Sequence, residues 1–151
     1  MIKLKHKMKS TSLLLLLVCT VLVTACQEPP ADELRINHIQ VLGTHNSYKL
    51  KPHPELVNQL NDHMEGWSRN IDYEHRPLTE QLEELGIRQF ELDVFADTAG
   101  GLFSEPAGAL LAGDEEYVNV AEMAEPGLKV FHGQDLDYRT TCMTLISCIT
   151  E

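Results

Sequence analysis

Three short stretches carry residue types that can move protons or hold a cation. They are Leu42-Gly43-Thr44-His45-Asn46-Ser47-Tyr48, Arg88-Gln89-Phe90-Glu91-Leu92-Asp93-Val94 and Lys129-Val130-Phe131-His132-Gly133. Glu91 and Asp93 are two apart, so on a strand both carboxylates face one side while Phe90, Leu92 and Val94 face the other. Two carboxylates on a buried face repel unless something positive lies between them. A hard divalent cation answers that need, and oxygen ligands suit calcium or, less well, magnesium. Asn46 adds an amide oxygen. His45 and His132 are imidazoles, the side-chain type whose unperturbed range lies nearest neutral pH, which suits general acid–base work. Each piece taken singly has a plainer reading, as a solvated face, a capped turn or a strand end. The same plain reading, structural or exposed, goes to His6, His38, His53, His63 and His75.

The elements that must position these stretches follow from hydrophobic period and breakers. Ile36–Thr44 reads as a strand with Ile39, Val41, Gly43 and His45 on one side. Pro54–Leu60 reads as a short helix opened by proline. Leu78–Leu85 reads as a helix with Leu78, Leu82 and Leu85 on one stripe and Gly86 as its stop. Ile87–Phe95 is the clearest strand. Residues 97–127 read as a long connection with a helix near Glu115–Ala124. Leu128–Phe131 reads as a strand and Thr141–Thr150 as a helix. Strand, helix, strand, connection, strand, helix is the order of parallel α/β units. All three motifs then fall at or just past strand C-termini, where parallel α/β barrels keep their active sites.

Ahead of these elements lies a processing signal. Lys3, Lys5, Lys7 and Lys9 precede an apolar run over Leu13–Val23, shorter than the ~20 apolar residues a bilayer span takes. Val23-Thr24-Ala25-Cys26 resembles the bacterial lipobox, which implies cleavage before Cys26 and lipidation of that cysteine. Several acyl chains anchor stably where one does not. Residues 1–25 are thus expected to be a lipoprotein signal peptide, residues 26–35 a polar tether, and residues 36–151 the folded part. The expected location is the bacterial cell envelope, held by a lipid anchor. Gln27, in place of an aspartate, favours the outer membrane facing the periplasm where the cell has one. Export leaves Cys142 and Cys148 as a pair in an oxidising compartment. Their C-x5-C spacing is not a metal-finger spacing. A local disulfide is expected, the alternative being two free cysteines on one helix.

Charge removes other classes. Of 12 Lys and Arg residues, four lie in the first 25, which leaves eight against 23 Asp and Glu in the remaining 126 residues, a balance of −15. That excludes a nucleic-acid backbone binder and a polybasic membrane clamp. The length suffices for one modest domain and not for two.

With these residues in view, the chain resembles the phosphatidylinositol-specific phospholipases C, in particular their calcium-dependent bacterial branch. Gly43-Thr44-His45-Asn46-Ser47-Tyr48 is similar to the first catalytic motif. Glu91-Leu92-Asp93 after Gly86-Ile87-Arg88 resembles the metal-binding strand. Phe131-His132-Gly133 resembles the second catalytic histidine. Asp135 through Cys148, with Arg139, Thr140 and Thr141, resembles the loop and helix that follow. The resemblance implies a TIM-like (β/α) barrel, with His45 and His132 as the acid–base pair and Asn46, Glu91 and Asp93 as calcium ligands. It also implies a phospholipid substrate, cleaved to diacylglycerol and an inositol phosphate that is cyclic at first. A glycerophosphodiester phosphodiesterase, whose histidine is followed by arginine and glycine, is the nearer alternative. A non-catalytic envelope lipoprotein and a small calcium-binding envelope module are the others. A complete barrel takes roughly 250 residues and at least about 200. The expectation is therefore an incomplete, N-terminal part of the barrel, from a fragment or truncated product inactive alone, with an exposed sheet edge and an uncovered apolar face.

Overall fold

The computed structural model describes residues 35–151. The expected signal segment, Cys26 and nearly all of the expected tether lie outside the described residues, as does His6. Residues 35–40 group apart from residues 41–151 and hold a 3-10 turn over Ile36–His38. Everything that follows concerns residues 41–151.

Four short strands and five short helices make an α/β arrangement. The strands are β1 (Gly43–Thr44), β2 (Gln89–Phe90), β3 (Val94–Asp97) and β4 (Gly127–Val130). The helices are α1 (Pro54–Asn61), α2 (Leu78–Glu83), α3 (Ala107–Ala112), α4 (Ala121–Ala124) and α5 (Leu145–Thr150). β1 and β2 pair in parallel, Gly43 opposite Gln89 and Thr44 opposite Phe90, across a connection that contains α1 and α2. β3 and β4 pair antiparallel, from Val94 opposite Val130 to Asp97 opposite Gly127.

Three expectations are corrected here. The strand expected over Ile36–Thr44 shrinks to Gly43–Thr44, because its two-residue partner β2 offers no ladder further back; Ile39, Val41 and Leu42 are exposed. The strand expected over Ile87–Phe95 splits into β2 and β3. The all-parallel order fails at β3 and β4, and among the described residues the strands form two two-stranded sheets and no closed barrel. A local turn opens the long connection from β3 to β4. The buried Asp97 carboxylate accepts N–H bonds from Gly100 (2.8 Å) and Leu102 (3.0 Å), which folds the chain back at the strand's end.

Local chemistry forms the helices. Pro54 opens α1, where its missing N–H costs nothing, and His53 Nδ1 accepts the Glu55 N–H at 3.2 Å. Thr144 and Ser147 cap α5 reciprocally, each side chain taking the other's backbone N–H. Gly113 ends α3 in the left-handed conformation. α3 lies within the stretch expected to be mostly connection, and the helix expected near Glu115–Ala124 is a 3-10 turn followed by the four-residue α4.

The core has three parts. Tyr48, Leu78, Val130, Cys142 and Cys148 pack beneath β2 and α5, and a disulfide joins Cys142 to Cys148. Leu56 of α1 meets Ala109 of α3, Tyr117 and Tyr138. Phe131 stacks on Phe95 at 4.3 Å and meets Phe103 edge-on, which anchors the residue just before His132. Leu82, Leu85, Val94, Leu128, Ile146 and Ile149 remain exposed. Among the described residues no helix is long and apolar enough to cross a membrane.

Candidate active site

The loop after β1 is built by Ser47. Its N–H donates to the Glu91 carbonyl (3.0 Å), and its Oγ accepts the Glu91 N–H (2.9 Å). The buried Gln81 amide of α2 holds the same loop by donating to the Ser47 and Arg76 carbonyls. Glu91 therefore spends its backbone on this loop, and the strand is interrupted at residues 91–93. This corrects the expected face-sharing of two buried carboxylates: Glu91 is half-exposed, and the two acids take different partners.

Asn46 sits in the same loop with φ +49°, a left-handed conformation that asparagine adopts more readily than other side-chain-bearing residues. The conformation turns its side chain inward. Its Nδ2 donates to the Tyr73 hydroxyl at 2.9 Å. The Tyr48 hydroxyl donates to Asp93 Oδ2 at 3.1 Å and lies 3.5 Å from Asn46 Oδ1. Burial and the Asp93 carboxylate push the Tyr48 phenol far above its ordinary value, so its proton stays on oxygen.

His45 and His132 have different surroundings. His45 Nδ1 is 2.5 Å from Glu91 Oε2, with side chains 73% and 48% exposed. The His75 ring Nε2 donates to the His45 carbonyl at 2.9 Å. His132 Nδ1 is 2.8 Å from Asp137 Oδ2, and the Asp137 carboxylate is only 5% exposed. The second oxygen of Asp137 faces Lys49 Nζ at 2.8 Å, on a lysine side chain with no solvent exposure. Lys49 in turn lies over the Tyr73 ring, 4.9 Å from its centre. A continuous chain of contacts thus runs from Asn46 through Tyr73, Lys49 and Asp137 to His132. His45 adjoins it by sequence.

Lys49, Tyr73, His75, Asp137 and the structural part of Tyr48 were missed by sequence reasoning. A signal existed for one of them. Asp137 is an acid five residues past His132, and the Gly133-to-Asp137 loop closes on itself through two backbone bonds of 2.9 and 3.1 Å. The loop is docked against α3, whose Gly108 N–H donates to the Asp135 carbonyl at 2.8 Å while the Ala107 N–H donates to Asp135 Oδ1.

The donor set fits a hard cation in kind. Asp93 Oδ2 and Asn46 Oδ1 both lie against the Tyr48 hydroxyl, at 3.1 and 3.5 Å, so the two oxygens are near one another and the position between them is filled by the phenol oxygen. Glu91 supplies a third carboxylate-type donor, with Oε2 engaged by His45. Among the described residues no group of three or more His, Cys, Asp and Glu side chains is arranged as a metal site; the candidate set holds two acids and an amide.

Residues 34–151 match the family model for phosphoinositide phospholipase C, Ca2+-dependent. Comparison with curated proteins and with solved structures returned no match. The family match spans well over half of the chain, and the chain belongs to that family.

Proposed function

We propose that this member of the calcium-dependent phosphoinositide phospholipase C family is a phosphoric diester hydrolase acting on phosphatidylinositol-type phospholipids by a two-histidine mechanism. The observation that carries the reading is the pairing of each histidine with its own carboxylate, on a polar network that also holds two convergent oxygen donors.

In this reading His45 is the base. Glu91 holds its Nδ1, which leaves Nε2 to take the proton of the inositol 2-hydroxyl as that oxygen attacks phosphorus. His132 is the acid. Asp137 holds its Nδ1, and Nε2 delivers a proton to the departing diacylglycerol oxygen. One proton is taken and one is given, the phosphorus–oxygen bond to diacylglycerol breaks, and a cyclic inositol phosphate forms. Asn46, Glu91 and Asp93 would hold calcium, which when bound neutralises phosphoryl oxygens and lowers the hydroxyl's pKa. Tyr48 holds Asp93, and Tyr73 takes the Asn46 Nδ2, which leaves the amide oxygen as the ligating atom. The inferred catalytic fold is the TIM-like (β/α) barrel; the parallel β1–β2 pair supports it, and the antiparallel β3–β4 pair does not. We further infer export and a lipid anchor at Cys26, an arrangement that would hold the enzyme at its substrate's surface.

The test is to incubate the protein, expressed with any in-frame continuation of its gene, with phosphatidylinositol vesicles, with calcium and with chelator. Expected are diacylglycerol and inositol phosphate only with calcium, and loss of both in His45→Ala and His132→Ala, by roughly a hundredfold or more. Release of glycerol phosphate instead would favour the glycerophosphodiester reading. A calcium-dependent rise in melting temperature with no turnover would favour a non-catalytic lipoprotein.

A further inference from the structure

We propose that Lys49 and Asp137 act as a tautomer clamp on His132, making both of them positioning residues. The consequence for catalysis rests on the role proposed above for His132; the clamp itself does not.

The argument starts at Lys49. An ammonium has three N–H donors and no acceptor. Two are used here, on the Leu50 carbonyl (2.9 Å) and the Ile71 carbonyl (2.8 Å), and the ammonium is ion-paired with Asp137 Oδ1, 2.8 Å away. The side chain has no solvent exposure, so water offers the ammonium no other partner. Its position is therefore set by protein atoms alone, and its charge holds Asp137 Oδ1 toward it and away from His132. The backbone of Asp137 is fixed independently, by its exchange of bonds with Gly133.

That leaves Asp137 Oδ2 facing His132 Nδ1 at 2.8 Å. A carboxylate only accepts, so the hydrogen between them belongs to Nδ1, and Nε2 is left bare in the neutral ring. Nε2 is then the nitrogen that loads and unloads a proton. Lys49 directly follows Tyr48, at the end of the loop that carries His45, and its backbone N–H returns to the Asn46 carbonyl at 2.9 Å. The loop that presents one histidine thus sets the protonation pattern of the other.

The experiment is nitrogen NMR of the histidine rings in the full chain, at alkaline pH where the ring is neutral. Wild type is expected to show His132 with its proton on Nδ1. In Asp137→Asn the introduced amide must turn its oxygen to Lys49, which can only donate. Its NH2 then meets Nδ1, and the ring proton must move to Nε2. The inverted tautomer is the expected result. In Lys49→Met combined with Asp137→Asn, the orphaned Leu50 and Ile71 carbonyls attract the NH2 instead, the amide oxygen turns to His132, and the proton returns to Nδ1.

A wild-type ring protonated on Nε2 overturns the proposal, and so does a folded Asp137→Asn protein whose tautomer is unchanged. Should Asp137→Asn fail to fold, the wild-type spectrum still decides. In the vesicle assay Asp137→Asn is expected to lower kcat by roughly a hundredfold or more with KM little changed, as for an acid–base histidine held in the wrong tautomer. A protein that shows both tautomer results yet releases no inositol phosphate keeps the clamp and removes the functional reading.

Discussion

His45 and His132 are the same residue type in the same chemical company, a carboxylate on Nδ1, yet the two pairs are built differently. His45 and Glu91 meet in the open, where water screens the charge and both side chains keep other conformations within reach. His132 and Asp137 meet against a buried lysine whose charge neither solvent nor, among the described residues, a second carboxylate is seen to meet. The first pair can exchange partners cheaply, which suits a glutamate shared between an imidazole and a cation. The second cannot rearrange without stranding a charge. The two histidines of the proposed reaction would therefore be held by opposite means, one by availability and the other by confinement.

The sharpest way to break this contrast is Asp137→Ala. It leaves the Lys49 ammonium buried without its anion, and a loss of about 3–5 kcal/mol is expected in denaturant unfolding. An effect no larger than that of Glu91→Ala would erase the distinction. Next comes Gly108→Ala. A methyl group there would lie 2.2 Å from the Asp135 carbonyl and 2.8 Å from Leu56 Cδ2, so α3 or the 133–137 loop must move. Overpacking of about 1–3 kcal/mol is expected, with displaced His132 resonances and unmoved His45 resonances.

Tyr48→Phe follows. It removes the donor to Asp93 and is expected to cost about 1–2 kcal/mol by thermal unfolding. The phenol also carries a pH signature. The folded state holds this proton at pH values where the unfolded chain has released it, so stability is complete below the ordinary phenol value near 10 and falls as pH rises beyond it. Tyr48→Phe should flatten that alkaline slope, measured as melting temperature against pH. Tyr138, raised by burial and by its bond to Asp114, should keep part of the slope in place. The smallest effect is Glu91→Gln, under about 1 kcal/mol, and salt should shrink the difference from wild type further.

The motifs were legible because residue type and sequence neighbours name them: His45, Asn46, Glu91, Asp93 and His132 stand in runs whose chemistry is local. Hydrophobic period located α1, α2, β4 and α5 to within a few residues. It failed for Glu91 and Asp93 because Ser47, from a distant loop, takes the Glu91 backbone that a ladder would have used. It failed for β3 and β4 because a period of two marks a strand and carries no sign of whether its partner runs parallel or antiparallel. Lys49 was invisible for another reason. A lysine reads as solvated, and only the tertiary fold supplies two carbonyls and a carboxylate around a single amine. Cys142 lies just before α5 and Cys148 within it, and a separation of six residues keeps them close.

Gly108 bears on how freely this sequence can drift. α3 crosses the Asp135 carbonyl with only a hydrogen atom between them. A saturation survey scored for correct folding would be expected to find this position nearly as intolerant as Lys49. It makes no contact with a reacting group and would be overlooked by any search confined to charged or nucleophilic side chains.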